Sequence, residues 1–112
     1  MLFKLTSSPF GGRTRTRVLI AIHLLGSTYP REMARLLVTN LNSVRKALAT
    51  LELDGLVSGR PVGRTRVYEF NPTYFAREPL RAFVARLAEA DSDLRDRTAQ
   101  LRRRPRRMGK PL

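Results

Sequence analysis

The chain has 112 residues, no Cys, 22 Lys and Arg against 9 Asp and Glu, and a formal net charge of +13. This length suits one small domain with an appendage. The lack of Cys excludes a disulfide framework and a thiolate metal site, and without a run of about 18 apolar residues no membrane-spanning helix is expected. The opening MLFKLTSSPFGG does not match a secretory leader, because Lys4 and the serines interrupt its apolar run, and a cytoplasmic location is expected.

Nineteen of the basic residues are Arg, whose planar fork suits phosphate and guanine edges. The excess is spread along the chain: residues 1–70 hold 11 basic and 4 acidic side chains, and residues 71–112 hold 11 and 5. That distribution points to a nucleic-acid partner.

In chain order, residues 2–5 form a short arm or strand, and residues 7–12 a loop punctuated by Pro9 and Gly11-Gly12. Residues 13–25 place Val18, Leu19, Ile22 and Leu25 on one helical face, and Gly26 ends that helix. Pro30 opens a second helix to about residue 38, with Met33, Leu36 and Leu37 inward and the small Ala34 where helices approach. Asn40 caps a third helix, residues 41–54, built on Val44, Leu48 and Leu51. Residues 56–60 and 65–70 are strands, joined by a turn at Pro61, Val62, Gly63 and Arg64. Pro79 opens a helix whose stripe is Leu80, Phe83, Val84 and Leu87. Asp91 caps a last helix, residues 92–103, which carries Leu94 and Leu101 but few other apolar positions, so a solvated or partner-facing role is expected. Residues 102–112, RRRPRRMGKPL, cannot build a core and are expected to form a mobile basic tail.

The fold class is therefore mainly α with a small β-hairpin wing: a winged helix-turn-helix over residues 1–72, C-terminal helices over 73–104 with a possible dimerisation role, and a basic tail over 105–112. The third helix is the recognition helix. Its exposed N-terminal half carries Leu41, Asn42, Ser43, Arg45 and Lys46, just after Asn40. Asn42 suits adenine, Arg45 guanine, Ser43 a base or a phosphate, and Lys46 a phosphate. On the hairpin, Arg60, Arg64 and Arg66 are expected on the DNA backbone or in the minor groove, with Arg64 and Arg66 on one side of a strand.

Residues 31–70 resemble the winged helix-turn-helix regulators of the ArsR/MarR type. The marks are PREMARLL for the positioning helix, SVRKALATLELDGLV for the recognition helix and its exit, and GRTRVYEFNP for the returning wing strand. Leu51-Glu52-Leu53-Asp54-Gly55-Leu56-Val57 follows the frequent L-E-x-x-G-L-V ending of that helix. The likeness extends over residues 13–72, with two departures: Val38 stands where these families often have a turn glycine, and Thr39 where they often have an apolar residue. The resemblance implies a double-stranded DNA-binding transcriptional regulator. It also implies a homodimer through the helix around Leu80, Phe83, Val84 and Leu87, reading a palindrome.

Metal sensors of these families use Cys and His clusters, whereas this chain has only His23, expected to be a packed helix residue; no metal or other cofactor is expected. No nucleophile stands with a base, and Gly11-Gly12 is not a P-loop because no Lys-Ser/Thr follows, so the chain is not expected to be an enzyme. The alternatives are a DNA-binding subunit acting with a separately encoded enzyme, such as a nucleotidyltransferase or a toxin, and a general nucleic-acid-binding accessory protein.

Overall fold

The computed structural model of the chain describes residues 9–103; the expected N-terminal arm at residues 2–5 and the tail at 105–112 lie outside them. The elements run α1 (Arg13–Leu25), α2 (Pro30–Leu37), α3 (Leu41–Leu53), β1 (Val57–Val62), β2 (Thr65–Phe70), α4 (Arg77–Glu89) and α5 (Ser92–Arg103).

Helix α1 is the centre of the core. Val18, Leu19, Ile20, Ala21 and Ile22 are all fully buried, so it is covered on every side rather than on the one face its periodicity suggests. Helix α3 packs on one part of its surface, and α4, α5 and β2 on others. Gly26 ends it with φ 87° and an N–H bonded to the Ile22 carbonyl at 2.7 Å. Each fully buried Leu, Ile or Val of this cluster contributes about 1.5–3 kcal/mol.

The hairpin pairs Val57 with Phe70 and Val62 with Thr65, so β1 runs through Pro61 and the tip is only Gly63-Arg64. The expected end of β1 at residue 60 is therefore too early. The Tyr68 N–H and C=O both bond to Thr28, at 2.7 and 3.0 Å, so the Gly59–Tyr68 pair does not exchange hydrogen bonds. Alternation makes Pro61–Arg66, two pairs along, another such pair, where a missing N–H costs nothing. Gly63 has φ 63°, and it is the first central residue of this two-residue turn. The Thr28–Tyr68 bridge adds a one-residue third strand to the hairpin.

Helix α4 starts at Arg77, two residues before Pro79, because a Pro in the first helical turn needs no intrahelical partner for its nitrogen. Its Leu80, Val84 and Leu87 are buried in the same cluster as α1, which leaves Phe83 47% exposed from the expected stripe. Those three side chains already lie in their own chain's core, so pairing through them would require opening it. Asp91 Oδ1 accepts the Leu94 N–H at 3.1 Å and caps α5 as expected. Helix α5 is not merely solvated: Leu94 is 1% exposed and Thr98 is buried, with its hydroxyl on the Leu94 carbonyl at 2.8 Å. The helices after residue 72 thus complete the core that the first three begin.

Candidate nucleic-acid interface

Helix α2 ends at Val38, which has φ 51° and ψ 53° and is 72% exposed. This left-handed conformation is the one that favours glycine, and Val38 adopts it at a cost of about 1–2 kcal/mol. The bend is held by the Thr39 N–H on the Ala34 carbonyl at 3.1 Å. After it, Asn40 Oδ1 accepts the Ser43 N–H at 2.8 Å and opens α3.

Burial of Val44, Ala47, Leu48 and Leu51 fixes which side of α3 looks outward. Asn42, Arg45, Lys46 and Ala49 are exposed at helical spacing and form that outer row, while Leu41 and Ser43 are half-buried. Of the expected residues, Asn42, Arg45 and Lys46 project freely. The Asn40 carbonyl oxygen is already used by the cap, which leaves its amide nitrogen to donate outward.

The wing stands beside this helix. Arg60 and Arg66 occupy neighbouring rungs on opposite strands, Arg60 opposite Val67 and Arg66 opposite Pro61, so alternation sends them to opposite faces. Arg64 lies in the tip rather than in a strand, and so does not share a strand side with Arg66 as expected. Arg66 reaches back to the recognition helix: its Nη2 donates to Glu52 Oε2 at 2.8 Å, and its guanidinium lies 5.8 Å from the centre of the Tyr68 ring. The Glu52 hydrogen bond holds the Arg66 pKa above its ordinary value. Gly59 makes room for this path, since a Cβ there would sit 2.7 Å from Arg66 Nε and 2.8 Å from the Tyr68 ring.

Between α3, the wing and the start of α2 lies an open cleft of about 890 Å³, with Arg31, Arg45, Arg64 and Arg66 around it and Tyr29 on its wall. Tyr29 and Arg31 were not among the expected contacts. Pro30 at the helix start, flanked by an aromatic and an Arg, was the only available signal. Among the described residues, Arg31, Arg35, Arg45, Lys46, Arg60 and Arg64 form no ion pair with an acid. Arg15, by contrast, is structural: it donates to the Phe10 carbonyl at 2.6 Å, to the Thr50 hydroxyl at 2.7 Å and to Asp54 at 3.0 Å. Around the cleft, Arg31, Arg45 and Arg64 carry charge that no acid among the described residues neutralises, beside the outer row of α3, a surface suited to a polyanion with readable edges.

His23 is half-buried on α1, and burial, followed by the charge of Arg81, lowers its pKa. Among the described residues no group of three His, Cys, Asp or Glu is placed to hold a metal ion, and no helix is long and apolar enough to cross a membrane.

No protein-family model matches the chain, and no curated protein matches it. Among solved structures, it is similar to the adhesin competence repressor AdcR from Streptococcus pyogenes, with a TM-score of 0.59 and 15% identity, over 83% of this chain and 69% of that one. The fold is a winged helix, as the five helices and the antiparallel hairpin require.

Proposed function

We propose that this protein is a sequence-specific, double-stranded DNA-binding transcriptional regulator of the ArsR/MarR kind, acting in the cytoplasm and without enzymatic activity. The observation that carries this reading is the outer row of α3. Asn42, Arg45 and Lys46 project from a capped helix start, unpaired with any acid among the described residues, beside a basic cleft shared with the wing. The similarity to a protein named as a repressor supports the same reading.

The N-terminal half of α3 enters the major groove, where Asn42 reads adenine and Arg45 reads guanine. Lys46, Ser43, Asn40 and the edge of Leu41 set the helix against the backbone and groove wall. Arg60 and Arg64 take phosphates or the minor groove. Arg66 joins them by exchanging Glu52 for a phosphate. Tyr29 and Arg31 extend the backbone contact at the start of α2.

Two copies read a palindrome, paired through the outer side of α4, where Phe83 remains 47% exposed and Phe75, just before the helix, is 93% exposed. Leu80, Val84 and Leu87 support this surface from beneath.

Selection from a random duplex pool, followed by titration of the enriched and unselected duplexes at several salt concentrations, tests the function. The enriched duplex binds about a thousandfold more tightly or better, and its sequence is palindromic. Equal affinity for both duplexes, or tighter binding to single-stranded RNA, removes the reading.

A further inference from the structure

We propose that the cavity between the end of α1, the end of β2 and the start of α4 binds a small zwitterion: a molecule with one carboxylate, one ammonium and a short apolar body, of which an amino acid is the simplest. The site is separate from the duplex-binding surface, and the proposal does not rest on that reading.

The cavity holds about 510 Å³, ample for such a molecule. Three elements bring polar groups to it. Helix α4 supplies Arg77 and Arg81, one turn apart and so on one side of the helix, β2 supplies Glu69, and α1 supplies His23. Arg77 is already paired with Glu78 at 3.0 Å. Arg81 and Glu69, by contrast, form no ion pair with each other or with any other described residue. Glu69 is half-buried, which raises the cost of leaving its charge unmatched. Burial, and then the Arg81 charge, lowers the His23 pKa, so the ring is uncharged near neutral pH and offers a hydrogen-bonding edge.

The cavity is thus left with one unmatched cation and one unmatched anion on different walls. A ligand of a single sign satisfies one and is repelled by the other, whereas a zwitterion satisfies both. Phe70 and Pro72, on the same lining, give the apolar body a surface. Arg81 and Phe83 flank the buried stripe of α4 on opposite sides, so the surface proposed for pairing does not include the cavity.

The cavity is also placed to act on the wing. Ser27 and Glu69, which line it, are the sequence neighbours of Thr28 and Tyr68, whose two hydrogen bonds form the one-residue bridge. Tyr29 and Tyr68 line the DNA cleft, and alternation along β2 sends Glu69 away from it. The bridge is therefore a wall between the two spaces, and a ligand drawn to Glu69 is felt at Tyr68.

The test titrates the full chain, without DNA, with leucine, with isocaproate, which lacks the ammonium, and with isoamylamine, which lacks the carboxylate. Binding is read from amide shifts at Ser27, Glu69, Arg77 and Arg81. Isocaproate and isoamylamine each bind about tenfold or more weakly than leucine, and leucine also shifts Thr28 and Tyr68. Arg81→Gln weakens leucine and isocaproate about tenfold and leaves isoamylamine no weaker; Glu69→Gln weakens leucine and isoamylamine and leaves isocaproate no weaker. Neither side chain has an internal ion pair to lose, so both variants keep the parent's melting midpoint. Silence of the cavity residues toward leucine, either half-molecule matching leucine, the same loss for all three probes in either variant, or cavity shifts that leave Thr28 and Tyr68 unmoved overturns the proposal. Failure of the chain to prefer an enriched duplex is a different result, which removes the regulator reading and leaves this site as it stands.

Discussion

Arg66 on the returning wing strand and Glu52 near the end of the recognition helix are joined at 2.8 Å, which ties the orientation of the wing to the helix it flanks. The guanidinium is thereby engaged before any nucleic acid arrives. Glu52→Gln keeps the shape and removes the competing charge. The expected outcome is tighter duplex binding with a salt slope steeper by about 0.9, and a thermal midpoint close to the parent's, since exposed pairs stabilise little. Titrations at several salt concentrations with one melting curve check this; an unchanged slope would mean that Arg66 never reaches a phosphate.

Arg45 and Arg64 separate reading from positioning. Arg45→Ala is expected to relax preference at one base position, losing about 1–3 kcal/mol on the enriched duplex and much less on its variants at that position. Arg64→Ala weakens all duplexes alike and lowers the salt slope by about 0.9. Affinities over a panel of single-base variants distinguish the two patterns; uniform loss for Arg45→Ala would take it out of base readout.

Val38 holds the bend between α2 and α3 in a left-handed conformation unfavourable to a β-branched side chain. Val38→Gly relieves that strain, offset by the greater freedom of glycine in the unfolded chain. A net gain of about 1 kcal/mol is expected, seen as a melting midpoint raised by several degrees, at about 4–8 °C per kcal/mol for a small domain. A lowered midpoint would show that the valine makes a stabilising contact outweighing its backbone cost.

Gly59→Ala acts on the wing from beneath. The added methyl meets both Arg66 Nε and the buried Tyr68 ring at under 3.0 Å, and the ring has little room to give. A loss of about 1–3 kcal/mol is expected from the overpacking. Amide shifts in Arg66, Tyr68 and Thr28 would locate it; a parent-like spectrum would contradict the close packing.

His23 gives the fold a pH dependence of definite sign. Its pKa in the folded chain is below the ordinary 6.5, because burial and then Arg81 disfavour the imidazolium. The unfolded chain therefore binds more protons at this group. Its contribution to stability is complete above pH 6.5 and is lost as pH falls from there toward the lowered folded value. Melting curves from about pH 7.5 to 5.5 should fall more steeply for the parent than for His23→Gln; parallel curves would remove His23 as the cause.

Much of the fold was legible because the periodic positions do what periodic positions do. Val44, Leu48 and Leu51 turn α3 inward, and the same three residues decide that Asn42, Arg45 and Lys46 turn outward. Asn40 and Asp91 cap the helices they precede. Pro61 misled because it reads as a breaker, yet its rung in the ladder needs no N–H. Thr28 was invisible as a strand because a one-residue bridge has no period. The engagement of Arg66 by Glu52 joins two elements through their packing, and the charge pattern of the hairpin alone gives no sign of it. The same holds for Tyr29 and Arg31, which reach the wing cleft only because α2 crosses α3 as it does. Helix α5 looked solvated because it spends Leu94, a buried Thr98 and an Arg on its packing, where a stripe of leucines was the expected signal.

The most direct test of the central claim is an amide chemical-shift map of the protein titrated with its enriched duplex. The account predicts the largest shifts at Asn42, Ser43, Arg45 and Lys46, with a second set at Arg31, Arg60 and Arg64, and little change at the outer side of α4. Shifts concentrated around Phe75 and Phe83, with the outer row of α3 silent, would contradict it.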